Sequence, residues 1–100
     1  MLLGPGKNGY NIRFEPAALA VIEKLHADWP RSRFWWTGVE DLLQTTGHII
    51  GQRIQFRGRG HRLVSFSADP NGLHPSIDLI YLIIADELVV DFIEMNIREE

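Results

Sequence analysis

The chain has 100 residues, of which 45% are hydrophobic and 23% charged, a composition ordinary for one small globular domain. It contains no cysteine, which excludes disulfides, thiolate metal sites and cysteine nucleophiles. A formal net charge of −3 argues against strong nonspecific binding of nucleic acid. The charge is uneven, because residues 42–68 hold four arginines and no acid, whereas residues 86–100 hold six acids and one base.

The first nine residues are rich in glycine and polar side chains. We predict a flexible arm there and a single domain over residues 10–100. The start of the chain lacks the apolar segment of a signal peptide, and the longest apolar run, "LIYLIIA", is too short to cross a membrane. We therefore expect a cytoplasmic protein with no membrane partner.

The first predicted elements are a short strand and a helix. "YNIRF", residues 10–14, alternates apolar and polar side chains as a strand does. In "EPAALAVIEKLHADW", Pro16 suits the first turn of a helix, and Pro30 ends it. Apolar residues recur at spacings of three and four, which predicts one buried stripe: Ala18, Leu19, Ile22, Leu25 and Trp29.

A second helix follows a connector, "RSRFWW". Thr37 and Glu40 form the T-x-x-E pattern of a capping box, so we predict that this helix begins there. Gly47 is its expected C-cap. The next string, "HIIGQRIQF", is ambiguous between helix and strand, and we favour further helical turns.

The last third of the chain is typical of β-structure. "HRLVSFS" predicts a strand, "ADPNGLHPS" a loop, and "IDLIYLIIA" and "LVVDFIEMNI" a hairpin around Asp86 and Glu87. The order is strand, helix, helix, strand, strand, strand. It predicts an α+β fold in which a two-helix hairpin packs on an antiparallel sheet of about four strands.

These strings also carry a family resemblance. "YNIRFEPAALAVIEKL" resembles the opening strand and first helix of the RelE/ParE superfamily of small bacterial toxins. "RGHRLVSF" and "IDLIYLIIADELVVDFIEMNI" resemble the C-terminal strands of that superfamily. The resemblance spans about residues 10–98 and rests on motifs of the fold rather than on catalytic motifs.

The resemblance implies a toxin of a type II toxin–antitoxin system, silenced by a cognate antitoxin. RelE-type members act on the ribosome and cut mRNA without a metal, and ParE-type members poison DNA gyrase. It places Arg57, Arg59 and Arg62 on the phosphate, with Arg98 as a further phosphate ligand. Cations held at the scissile phosphate stabilise the charge that develops there. His61, inside the cluster, is the candidate general base.

Other interpretations of the same residues stay open. The arginines could instead form a solvated loop that pairs with the acidic C-terminal strand. The protein could be a non-catalytic binding module on the same scaffold, a regulator or a phage-type effector that binds its partner through Trp35 and Trp36. The alternative for these two rings, which we favour, is that they pack in the core.

The remaining ionisable residues form no recognisable motif. The histidines lie in separate segments and show no metal-binding spacing, so we expect no metal site and no cofactor. Asp91 and Glu94 have opposite parity along a strand, which predicts that they point to opposite faces of the sheet.

Overall fold

The structure is a computed structural model, and it describes residues 9–96. The predicted N-terminal arm up to residue 8, and Arg98, lie outside the described residues. The α+β class is confirmed, since two helices pack against one sheet. The elements are β1 (Asn11–Phe14), α1 (Pro16–Asp28), α2 (Ser32–Thr46), β2 (Gln52–Phe56), β3 (Arg59–Phe66), β4 (Ser76–Ile84) and β5 (Glu87–Asn96).

The sheet has five strands in the order β1-β5-β4-β3-β2. Strands β3 to β5 form an antiparallel meander, as expected, and β2 extends it. Strand β1 pairs with β5 in parallel, so the sheet is mixed, which corrects the prediction of an antiparallel sheet. The fifth strand is β2, which corrects the prediction that "HIIGQRIQF" continues the helix. This short strand is largely polar, and it is stabilised by its ladder to β3 rather than by a local apolar pattern.

Helix α1 lies where it was predicted, but its buried stripe is narrower. Leu19 is 43% exposed because it lies about 100° around the helix from Ala18, and Trp29 is half-buried just beyond the helix end. Pro16 occupies its first turn, and Ala18, Ile22 and Leu25 are buried. The helix ends at Asp28, two residues before Pro30. Its apolar stripe packs toward β5.

Helix α2 begins earlier than predicted. Its first residue is Ser32, so most of the expected connector is helical, and Thr37 lies inside the helix. The Thr37 hydroxyl donates to the Arg33 carbonyl instead of capping an end. Burial of Trp36, Val39 and Leu43 against the sheet, which no local signal records, decides the boundary.

Gly47 ends α2, as predicted, but not through a left-handed backbone. Its φ is −55°, which any residue adopts. A Cβ at this position would lie 2.5 Å from Leu88 Cδ1 and 2.6 Å from the Leu43 carbonyl oxygen. A side chain here would press on the flexible end of Leu88 on β5 and, more seriously, on the backbone carbonyl of Leu43 within α2, which cannot move without disturbing the helix.

A β-bulge in β5 changes which side chains share a face. Ile80 pairs with Phe92 and Tyr81 with Val90, so Asp91 is an extra residue with no partner on β4. Cross-strand partners share a face, and the alternation therefore shifts by one residue after the bulge. Asp91 and Glu94 lie on the same face, away from the helices, which corrects the prediction of opposite faces.

The contact between the two helices makes stability depend on pH. His26 Nδ1 lies 3.2 Å from the Oγ of the buried Ser32. Burial lowers the pKa of His26 below its ordinary value of 6.5, and the charge of Arg33 adds to this effect. The unfolded chain therefore binds a proton that the folded chain does not, and the free energy of unfolding falls as the pH drops below about 6.5.

We expect urea denaturation to show a smaller free energy of unfolding at about pH 5.5 than at about pH 7.5. His26→Gln should reduce this difference, because glutamine does not titrate. An identical pH dependence in the wild type and the variant would contradict the assignment to His26.

Candidate functional site

The basic cluster lies on the hairpin formed by β2 and β3. Phe56 pairs with Arg59, so the connection is the two residues Arg57 and Gly58. Both have a positive φ, of 52° and 76°, which is the geometry of a type I′ turn. This turn matches the twist of the strands and presents Arg57 and Arg59 to solvent at the tip of the hairpin.

The structure divides the predicted arginine cluster between two faces of the sheet. Arg59 and His61 share one face because they are two residues apart on β3, and Arg62 points to the other. Arg62 Nε donates to the carbonyl of Ile50, 2.8 Å away. The guanidinium of Arg57 lies 4.8 Å from the centre of the Phe56 ring. The three arginines therefore do not converge on a single point.

The hairpin arginines have no acidic partner among residues 9–96. Two of the three acids of β5 are engaged elsewhere: Glu87 with Arg13 at 2.7 Å, and Asp91 with His61 at 2.7 Å. No carboxylate within that range lies within 4.0 Å of Arg57, Arg59 or Arg62. Within residues 9–96, these arginines therefore do not pair with the C-terminal strand, as one interpretation of the sequence had suggested.

His61 is buried and fully hydrogen-bonded, with a side chain only 1% exposed. Its Nε2 lies 2.7 Å from Oδ2 of Asp91 on β5, and its Nδ1 lies 3.1 Å from the carbonyl oxygen of Arg59. The Phe56 ring packs against it edge-on at 5.3 Å. In this arrangement neither ring nitrogen is free to take a proton from a substrate, and the pair ties β3 to β5 across β4.

A cleft opens where β3 separates from β4. Pairing between these strands begins at Arg62 and Tyr81, so residues 59–61 have no partner on the last part of β4. A pocket of about 530 Å³ lies at this separation. Its lining combines basic and polar side chains with apolar ones: Tyr10, His48, Arg53, Ile54, Gln55, Gly60, His61, Arg62, Leu82 and Ile83.

Arg53 and His48 line the cleft and lie outside the predicted basic cluster. Arg53 lies on β2, a strand that was predicted as helix, and its cross-strand partner is Arg62. His48 follows Gly47, and its ring meets the edge of Tyr10 at 5.8 Å. Its Nδ1 is buried and has no hydrogen-bond partner among the described residues. Alternation in "QRIQF" was the only available signal for Arg53.

Tyr81 supports the cleft from the core. Its hydroxyl donates to the Gly47 carbonyl, 2.8 Å away. Burial raises the pKa of Tyr81 to about 12, against the opposing influence of the Arg62 charge. The phenol therefore stays neutral and holds the end of α2 onto β4.

The two candidate partner-binding tryptophans are largely in the interior, as the alternative interpretation held. Trp36 is 4% exposed and belongs to the core. Trp35 is half-buried and stacks on His74, with ring centres 3.8 Å apart and planes inclined by 16°. This stack holds the β3–β4 loop against α2. The exposed ring of the segment is Phe34, at 86%.

Two further properties concern only the part of the chain that the structure describes. Over residues 9–96, no three histidine, aspartate or glutamate side chains are grouped so that they could hold a metal ion. Within the same range, neither helix has the length and apolar character needed to span a membrane.

Comparison of the chain with protein-family models, with curated proteins and with solved structures found no match.

Proposed function

We propose that this chain is a RelE/ParE-like toxin that binds RNA through the β2–β3 hairpin and works with a cognate antitoxin. The observation that carries the proposal is that Arg57 and Arg59 are exposed at the hairpin tip without an acidic partner among residues 9–96. The fold, a helix pair packed on one sheet face, agrees with the resemblance in the sequence.

The chemistry of the hairpin suits a phosphate backbone. The planar guanidinium group of arginine donates two hydrogen bonds to one phosphate, and it keeps its charge at every physiological pH. The net charge of −3 does not oppose this, because a local cationic surface acts over about 8–10 Å at physiological ionic strength. Contacts of this type position RNA without reading its sequence.

Metal-independent cleavage of mRNA, which the resemblance implies, needs cations at the scissile phosphate and a base beside the 2′-hydroxyl. The hairpin supplies the cations. Both ring nitrogens of His61 are already hydrogen-bonded. The geometry therefore gives more support to RNA binding than to cleavage with His61 as the base.

RNA binding is tested by fluorescence anisotropy with a labelled single-stranded RNA. We expect Arg57→Ala/Arg59→Ala to weaken binding and to reduce the slope of log K against log salt concentration by about 1.4, at about 0.7 for each lost phosphate contact. Arg31→Ala/Arg33→Ala is the matched control, since it removes the same charge from exposed positions at the start of α2.

An equal loss of RNA affinity in the two double variants would show that the affinity depends only on net charge. It would overturn the assignment of RNA binding to the hairpin. Absence of RNA binding by the wild type at low salt would overturn the RNA proposal itself.

Toxicity is tested by induced expression in bacteria. We expect the wild type and Arg31→Ala/Arg33→Ala to arrest growth, and Arg57→Ala/Arg59→Ala to relieve the arrest. Normal growth in all three cases would favour the non-catalytic binding module instead. The observation in favour of that second function is the exposure of Phe34, and Phe34→Ser should then abolish capture of the partner.

A further inference from the structure

We infer that the cleft between β3 and β4 binds a nucleoside monophosphate, with the phosphate on Arg53 and Arg62 and the base against Tyr10 and Ile83. The inference does not rest on the proposed function, because it uses neither Arg57 nor Arg59. It assigns a small-molecule site to a part of the molecule that the RNA-binding hairpin tip does not include.

Two arginines lie directly opposite each other in the β2–β3 ladder. Arg53 and Arg62 are cross-strand partners in the β2–β3 ladder, so they share a face of the sheet, with Cβ atoms about 5 Å apart by strand geometry. Like charges in this position destabilise a sheet. No carboxylate among residues 9–96 lies within 4.0 Å of either guanidinium. A bound anion would relieve this repulsion.

The guanidinium of one of these arginines is held in a fixed orientation. Arg62 Nε donates to the Ile50 carbonyl at 2.8 Å, so the position of its guanidinium is set before any ligand arrives. A cation that is held in place loses less conformational entropy when it binds an anion. Arg53 is exposed and reaches the cleft from the edge strand β2.

The lining of the cleft carries no negative charge that would repel an anion. No lining residue is acidic, and burial raises the pKa of Tyr10, so its hydroxyl stays neutral and does not repel an anion.

The lining of the cleft also has an apolar part, and its size suits a small molecule. Ile83 and the ring of Tyr10 offer an apolar surface on the same side of the sheet as the two cations, because Arg62 pairs with Tyr81 and Ile83 lies two residues further along β4. A ligand that uses both must carry a flat apolar body and an anionic group, as a nucleoside monophosphate does. The volume of about 530 Å³ falls in the range of about 300–1,000 Å³ that small-molecule sites occupy.

The test is isothermal titration calorimetry with 5′-AMP, adenosine and inorganic phosphate as probes. We expect 5′-AMP to bind more tightly than either of its parts. Arg53→Gln should weaken 5′-AMP about tenfold, as expected for the loss of one charge-assisted hydrogen bond. Arg31→Gln, the same change at an exposed position just before α2, should alter the affinity by less than about twofold.

A thermal shift provides a second readout of the same binding. Phosphate should raise the Tm of the wild type more than that of Arg53→Gln. Absence of 5′-AMP binding to the folded wild type, or equal affinity in the wild type and Arg53→Gln, would overturn the inference.

The ligand can be a free nucleotide or the end of an RNA chain, and competition separates these sources. Displacement of 5′-AMP by a short RNA with a terminal phosphate supports the chain end, and failure of that RNA to compete supports the free nucleotide. Loss of RNA binding in Arg57→Ala/Arg59→Ala with unchanged 5′-AMP affinity would show that the hairpin tip and the cleft act separately.

Discussion

Gly51→Ala is expected to destabilise the protein by about 3–5 kcal/mol, a large fraction of the stability of a small domain. Gly51 lies where the chain enters β2, with φ at +78°, a backbone conformation that costs an L-residue about 1–2 kcal/mol. A Cβ there would also lie 2.4 Å from the carbonyl oxygen of Leu63 and 2.6 Å from Cγ2 of Val64. The backbone carbonyl cannot move away without disturbing the β2–β3 ladder.

Gly58→Ala is the matched control for Gly51→Ala. Gly58 has nearly the same φ, +76°, but no atom lies within 4 Å of the Cβ that alanine would add. Its expected cost is therefore only the left-handed penalty of about 1–2 kcal/mol. Urea denaturation followed by tryptophan fluorescence measures both. Equal losses in the two variants would mean that the backbone conformation alone matters and that Gly51 has room for a side chain.

This prediction also concerns function, because Gly51 adjoins the residue that orients Arg62. The Ile50 carbonyl accepts the hydrogen bond of Arg62 Nε, and the close approach of Gly51 to Leu63 keeps that carbonyl beside β3. A variant that opens this contact should loosen the cleft as well as lower the stability.

Asp91→Ala is expected to destabilise the protein by about 2–4 kcal/mol, because it removes one partner of a largely buried pair. His61 Nε2 would lose its acceptor in a place where its side chain is 1% exposed. Glu94→Ala removes a carboxylate from the same strand, but this residue is exposed, so its effect should stay within about 0.5 kcal/mol.

The double variant His61→Leu/Asp91→Leu tests whether the cost of Asp91→Ala comes from a buried partner that is left without a hydrogen bond. Replacing both partners leaves no buried polar group unsatisfied, so its free energy of unfolding should be closer to that of the wild type than that of Asp91→Ala. Chemical denaturation measures all three. If the double variant lost as much free energy of unfolding as Asp91→Ala, or more, the cost would not come from an unsatisfied partner and the role of the pair in joining β3 to β5 would be wrong.

The helix α1 and the strands β3, β4 and β5 were predictable because their signals are local. Pro16 marks a helix start, and the apolar stripe through Ala18, Ile22 and Leu25 repeats with the helix period. The tight turn between β4 and β5 separates two strongly apolar strands. For these segments propensity, periodicity and turn chemistry agree, so tertiary contacts only reinforce what the chain already favours.

The start of α2 and the strand β2 could not be predicted, because their decisive contacts are distant in sequence. "RSRFWW" contains no cap signal, and the chain is helical there because Trp36 is buried against the sheet. "QRIQF" is too polar to indicate a strand by itself, and it becomes one through its ladder to β3. An apparent capping box at Thr37 was misleading for the same reason.

The sequence alone therefore determined the α+β class, the basic segment of residues 53–62 and its freedom from nearby acids along the chain. Only the tertiary structure decided that Arg62 lies opposite Arg53 rather than beside Arg57 and Arg59. It also decided that a bulge places Asp91 next to His61, and that a cleft opens beside these residues. The physical reason is that composition and periodicity act between near neighbours. Strand register, bulges and the separation of two strands depend instead on residues that meet only after folding.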